Sequence, residues 1–114
     1  MRPERLYLQD ILDAMDEAGL FLQGTDSAGF LMDKMLQSAV LLKLIMIGEA
    51  AARLPAALKD THPQVPWKRM AAFRNFAVHE YFAVDWRVVW DTATLNIPPL
   101  RGQIASILAS IATS

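Results

Sequence analysis

Between Asp26 and Pro55 lies a stretch that reads as one long helix and is apolar on nearly every side. Asp26 or Ser27 can cap it, and Pro55 stops it after about Arg53. Leu31, Met35, Ala39, Leu42 and Met46 form one stripe at helical spacing, while Val40, Leu41, Leu44, Ile45 and Ile47 cover much of the remaining circumference. A helix with this pattern is buried on more than one side. A chain of 114 residues can hardly surround it alone. The pattern therefore predicts a helical bundle in which part of this second helix faces a second copy of the chain. Gly48 inside it costs about 1 kcal/mol relative to Ala, which a close helix–helix or helix–backbone approach would offset.

The other segments also carry helical periodicity. Leu8, Ile11, Leu12, Met15 and Ala18 repeat at i, i+3, i+4 and i+7, predicting a first helix over 3–20, with Pro3 in its first turn and Gly19 and Gly24 marking its end and a loop. Leu54 to Val65 is a connector with room for one turn at Ala56–Leu58, and His62 within it reads as a loop residue. Pro66 opens a third helix with Trp67 and Met70 facing the core, ending near His79–Phe82. Asp85 can cap a fourth, carrying Trp86, Val89 and Trp90 as an apolar stripe. Ile97-Pro98-Pro99 is expected to break the chain before a fifth helix bearing Leu100, Ile104, Ile107, Leu108 and Ile111. The expected architecture is all-α: a single up-down bundle of four main helices plus short extra ones, forming one domain over 1–114.

Composition narrows the function classes. The chain is 54% hydrophobic, 20% charged and free of cysteine, which removes disulfides and thiolate metal sites and fits a reducing cytoplasm. Its first residues, leading into Asp10, Asp13, Asp16 and Glu17, do not read as a signal peptide. The longest apolar concentration, Ala39–Ile47, is interrupted by Lys43 and falls short of the roughly 20 residues a bilayer needs, so no membrane role is expected. The two histidines and the surface-placed carboxylates give a metal centre little support. Charge is uneven: residues 1–52 hold four basic and eight acidic groups, net −4, and residues 53–87 hold six basic and three acidic groups, net +3. A phosphate ligand would favour the second region.

That region contains the densest chemistry, Arg74-Asn75-Phe76-Ala77-Val78-His79-Glu80-Tyr81-Phe82. On an α-helix Asn75 and His79 share a face about 6 Å apart along the axis, and Arg74 lies about 140° round from His79. Phe73, Phe76 and Ala77, with Tyr81 or Phe82 near the end, would bury the opposite stripe. Arg offers forked donors to two phosphate oxygens, and His exchanges a proton near neutral pH. The pair suits phosphodiester cleavage in RNA, where the internal 2′-hydroxyl is the nucleophile. By spacing alone, a histidine favoured by the dipole of a helix end and a solvated arginine fit the pattern as well.

Arg74-Asn75 followed by His79 and Tyr81 resembles the Arg-x4-6-His signature of the HEPN superfamily. With Phe30, Asp33, Ile47-Gly48-Glu49-Ala50-Ala51, Val65-Pro66-Trp67, Val84-Asp85 and Val89-Trp90, the chain looks like the HepT-like branch, the toxin ribonucleases of prokaryotic toxin–antitoxin pairs. The resemblance implies a HEPN-like bundle and a metal-independent endoribonuclease without cofactor, acting on RNA as a homodimer. It implies Arg74, Asn75 and His79 as catalytic residues. It also implies a minimal nucleotidyltransferase (MNT-type) antitoxin as partner, which attaches AMP to Tyr81. The alternative from another class is a catalytically inert helical dimer that binds a protein or a nucleotide through the same cleft.

Overall fold

Leu8, Ile11, Leu12, Ala14, Met15 and Ala18 line the buried face of the first helix, α1 (Glu4–Phe21), and Gly24, at φ +74°, turns the chain beyond it. In this computed structural model residues 3–76 and 84–112 are described. Gly19 sits inside α1 and does not end it; the helix closes at Phe21, within a residue of the expected end.

The long second helix is divided. A short α2 (Ser27–Met32) is capped by Asp26, whose carboxylate accepts from the Gly29 amide at 2.8 Å. The chain then passes through Asp33 in extended conformation and starts again as α3 (Lys34–Arg53). Asp33 accepts from the Leu36 amide at 3.0 Å, and the buried Gln37 side chain donates to the carbonyls of Phe30 and Leu31 at 3.0 and 3.1 Å. These contacts satisfy the start of one helix and the end of the other, so the corner leaves little polar backbone unpaired. In sequence the same residues are compatible with an unbroken helix. The corner lets Phe30, fully buried, pack against Trp86 and Trp90, with ring centroids at 6.4 and 5.5 Å. Both tryptophans are half-buried and pack against the core, on the side their spacing predicts.

α3 is central: it packs along α1, and on another side against α5 (Trp67–Ala71) and a following 3-10 turn, Ala72–Phe76. By length and composition α3 would suffice to cross a bilayer, with mean hydropathy 1.5, a feature hidden when only its unbroken apolar core is counted. Val40, Leu44, Ile47 and Ala51 are fully buried against its neighbours. One of the stripes read from the sequence is left outside: Met35 is 82% exposed, Leu42 54% and Met46 42%.

Leu54-Pro55 leads into α4 (Ala56–Thr61), and the carbonyl of His62 accepts from the Trp67 indole at 2.9 Å, fixing the entry to α5. Asp85 caps α6 (Trp86–Asp91) through the amides of Arg87 and Val88. The expected break at Ile97-Pro98-Pro99 does not occur. A π-turn, Thr92–Asn96, carries the helix straight into α7 (Ile97–Ala112), with Asp91, Thr92 and Ile97 all in helical conformation. The wider turn accommodates a proline ring that would press on the carbonyl four residues earlier. The Thr92 and Thr94 hydroxyls donate to the carbonyls of Val88 and Trp90 at 2.7 and 2.8 Å. The main helical rods are therefore α1, α3, the run 67–76 and the run 86–112, an all-α bundle as expected.

Candidate functional site

The third helix delivers the candidate residues, but with a different pitch from the one expected. It is α-helical only over Trp67–Ala71 and tightens to 3-10 over Ala72–Phe76. Trp67 and Met70 face the core as predicted, and Phe73 is buried with the half-buried Phe76 beside it, centroids 6.4 Å apart. In a 3-10 turn residues three apart line up, which stacks these two rings on one side. Arg74 and Asn75 are turned the other way and are exposed.

The tightening coincides with the closest backbone approach in the neighbourhood. A Cβ added to Gly48 of α3 would overlap the amide nitrogen of Arg74 and lie 3.1 Å from both its Cα and the Ala71 carbonyl oxygen. Gly48 thus allows the motif backbone to rest directly on α3. The helix–backbone approach inferred from sequence is what the fold contains. It places the Arg74 main chain on a buried helix while leaving the guanidinium in solvent.

A second cation stands nearby that the motif does not include. Lys59 of α4 is half-buried, and its ammonium pKa is lowered, first by burial and then by the charge of Arg74. Among the described residues neither cation has a carboxylate partner. Two positive groups that feel each other's charge, with no counter-charge beside them among the described residues, favour an anion nearby. The only sequence signal for Lys59 is its membership of the net-positive segment; its proximity to Arg74 is a tertiary fact.

Glu49, next to Gly48, is turned to the outside of α3 and pairs with Arg53 at 3.6 Å, a solvated i, i+4 contact. His62 lies in the connector, its carbonyl engaged by Trp67. Among the described residues no group of three or more His, Asp or Glu side chains is placed to hold a metal ion. His79 and Tyr81, the other two motif residues, lie outside the described residues.

The all-α bundle is what the HEPN resemblance leads one to expect. The chain belongs to the HepT-like family: the family model described as ribonuclease HepT-like matches residues 11–107. A protein of Thermococcus cleftensis named as a probable ribonuclease HepT is 39% identical over 93% of this chain and 96% of its own. Two further relatives are provisionally named as RNases. One, from Caldanaerobacter subterraneus, is 36% identical over 95% of this chain and 96% of its own; the other, from Methanocaldococcus jannaschii, is 33% identical over 96% and 95%. No solved structure matches the chain.

Proposed function

We propose that the protein is a metal-independent endoribonuclease that works as a homodimer, with the motifs of two copies lining a shared cleft. The observation that supports it most is the exposed Arg74-Asn75 turn, seated on α3 through Gly48, in a chain of the HepT-like ribonuclease family. In this reading the substrate supplies its own nucleophile, the 2′-hydroxyl. His79 takes the proton from that hydroxyl or gives one to the departing 5′-oxygen. Arg74 stabilises the charge of the phosphorane, with Lys59 adding positive field, and Asn75 orients the His79 ring or the scissile phosphate. The products are a 2′,3′-cyclic phosphate and a free 5′-hydroxyl.

The same reading makes the protein the toxin of a cytoplasmic toxin–antitoxin pair, restrained by an MNT-type nucleotidyltransferase that transfers AMP to the Tyr81 hydroxyl. An added phosphate near the motif would compete for Arg74 and repel RNA. Its support is the motif resemblance and the positive charge of Arg74 and Lys59 described above.

The test is incubation of purified protein with total RNA in EDTA, followed by analysis of the new ends. Cleavage leaving cyclic phosphates is expected, and it should disappear in the Arg74→Ala/His79→Ala double variant. Equal cleavage by both proteins, or none by either, rejects the ribonuclease reading in favour of an inert binding module.

A further inference from the structure

A neutral polar line runs along α7. Asn96, just before the helix, and Pro99, Gln103 and Ser106 follow one another by three, four and three residues, so they share one face over about 15 Å. A helix face turned to water ordinarily carries charge, as Arg101 does in its pair with Asp16. This one carries amides and a hydroxyl, and the connector before α5 runs beside it. The Gln103 side-chain amide donates to the Gln64 carbonyl at 3.4 Å, joining helix and connector. Two hollows meet there, both reaching Pro99 and Gln103. One, of about 490 Å³, extends to His62 and Ser106; the other, of about 230 Å³, extends to Asn96 and Arg69.

The charge around these hollows sets them apart. Among the described residues no carboxylate lines either of them, whereas three other surface hollows hold Asp10 and Glu49, Glu4, and Asp33. Arg69 is exposed and, among the described residues, has no carboxylate partner. The side-chain amides of Gln64 and Asn96 likewise bond to no protein group among the described residues.

We propose that this groove binds single-stranded RNA some nucleotides away from the cut. Arg69 takes a backbone phosphate, the amides of Gln103 and Asn96 bond to base edges, and the His62 ring and Pro99 offer faces for bases to lie on. An amide both donates and accepts, as base edges do, and a cation with no acid around it selects a polyanion over a peptide. The choice of occupant rests on the ribonuclease reading, but the groove is separate from the Arg74 turn. Arg69 precedes Arg74 by about 9 Å along the same helical rod and lies on roughly its opposite side. A strand held at both therefore passes round the rod.

Binding of the full chain to short, labelled 2′-O-methyl oligonucleotides of single-base composition, read by fluorescence anisotropy, tests this without cleavage. Arg69→Gln should weaken binding of every composition about 10-fold and lower the slope of log affinity against log salt by about 0.7–1. Arg69→Lys should restore most of the salt slope. Gln103→Ala should instead shrink the wild type's preference among bases about 5-fold. In cleavage assays Arg69→Gln should raise KM for long RNA with kcat unchanged, and should cut a dinucleotide as wild type does. Arg69→Gln binding equal to wild type overturns the proposal and leaves the groove to a peptide; so does a Gln103→Ala variant with the wild-type base preference. A wild type that binds no oligonucleotide overturns it too, and if that protein still cuts long RNA the ribonuclease reading stands. A protein whose binding follows these variants but which cuts nothing rejects the ribonuclease reading alone.

Discussion

The inner and outer faces of α3 are built from similar apolar side chains and differ in what they can tolerate. On the inner face Val40, Leu44 and Ile47 have no exposed surface, and at Gly48 there is no space for one more carbon atom. On the outer face Met35, Leu42 and Met46 stand largely in solvent. Hydrophobicity tells that a face needs cover; the steric detail of the neighbour tells whether the cover is already in place. The motif is attached to the covered face.

The strongest way to break this contrast is Gly48→Ala. Helix propensity alone would favour Ala by about 1 kcal/mol. The overlap with the Arg74 backbone has no flexible side chain to absorb it, and a net loss of about 2–3 kcal/mol is expected, read as a fall in Tm near 10 °C. RNA cleavage should fall further than stability does, because the displaced segment carries Arg74. A variant as stable and active as wild type would mean that the motif does not rest on α3.

Next is Gln37→Leu, also on the inner face. It removes two donors from the carbonyls of Phe30 and Leu31, and chemical denaturation should report a loss of about 1–2 kcal/mol. Outside, Met46→Ala should cost under about 0.5 kcal/mol when measured at high dilution, where copies are apart. A larger effect under those conditions would show that the outer face is covered within one chain.

The smallest effect belongs to a contact on neither face, the bidentate pair of Arg101 with Asp16 that links α7 to α1. The hydrogen bond from Arg101 holds the Asp16 carboxyl below the ordinary carboxylate range. A depressed carboxyl pKa stabilises the fold above the unfolded-state value, and that contribution is lost as pH falls through the folded one. Both groups are about half exposed, so solvent screens the pair strongly. Asp16→Asn should therefore differ only slightly from wild type at neutral pH, and the difference should vanish in acid or in high salt.

How much of this was legible in the sequence depends on the range of the forces involved. Periodicity identified the buried faces of α1, α5 and α6, the packing of the tryptophans against the core, and an α3 with more apolar surface than one chain covers. Two joints were misjudged for opposite reasons. At Asp33 the residues are acceptable helix formers, and the corner exists because Phe30 reaches Trp86 and Trp90 and because Gln37 satisfies the carbonyls behind it. At Pro98-Pro99 the local rule says stop, and the π-turn with its threonine hydroxyls carries the helix through. At the candidate site, Arg74 and Asn75 were singled out by family resemblance, and they stand exposed on their turn. Their 3-10 pitch and the nearness of Lys59 depend on α3 and α4 and leave no mark on the local pattern. His79 and Tyr81 remain expectations of the motif.

The π-turn at Thr92–Asn96 has an implication for length changes. A wide turn holds one residue more than an ordinary one, so deleting a single position there should restore a regular helix and leave everything beyond it in nearly the same rotation. Leu100, Ile104 and Ile107 would stay sealed against the bundle. The segment behaves as a slack link: one residue can be lost from it without turning the last helix, whereas a second loss would swing that helix by about a quarter turn.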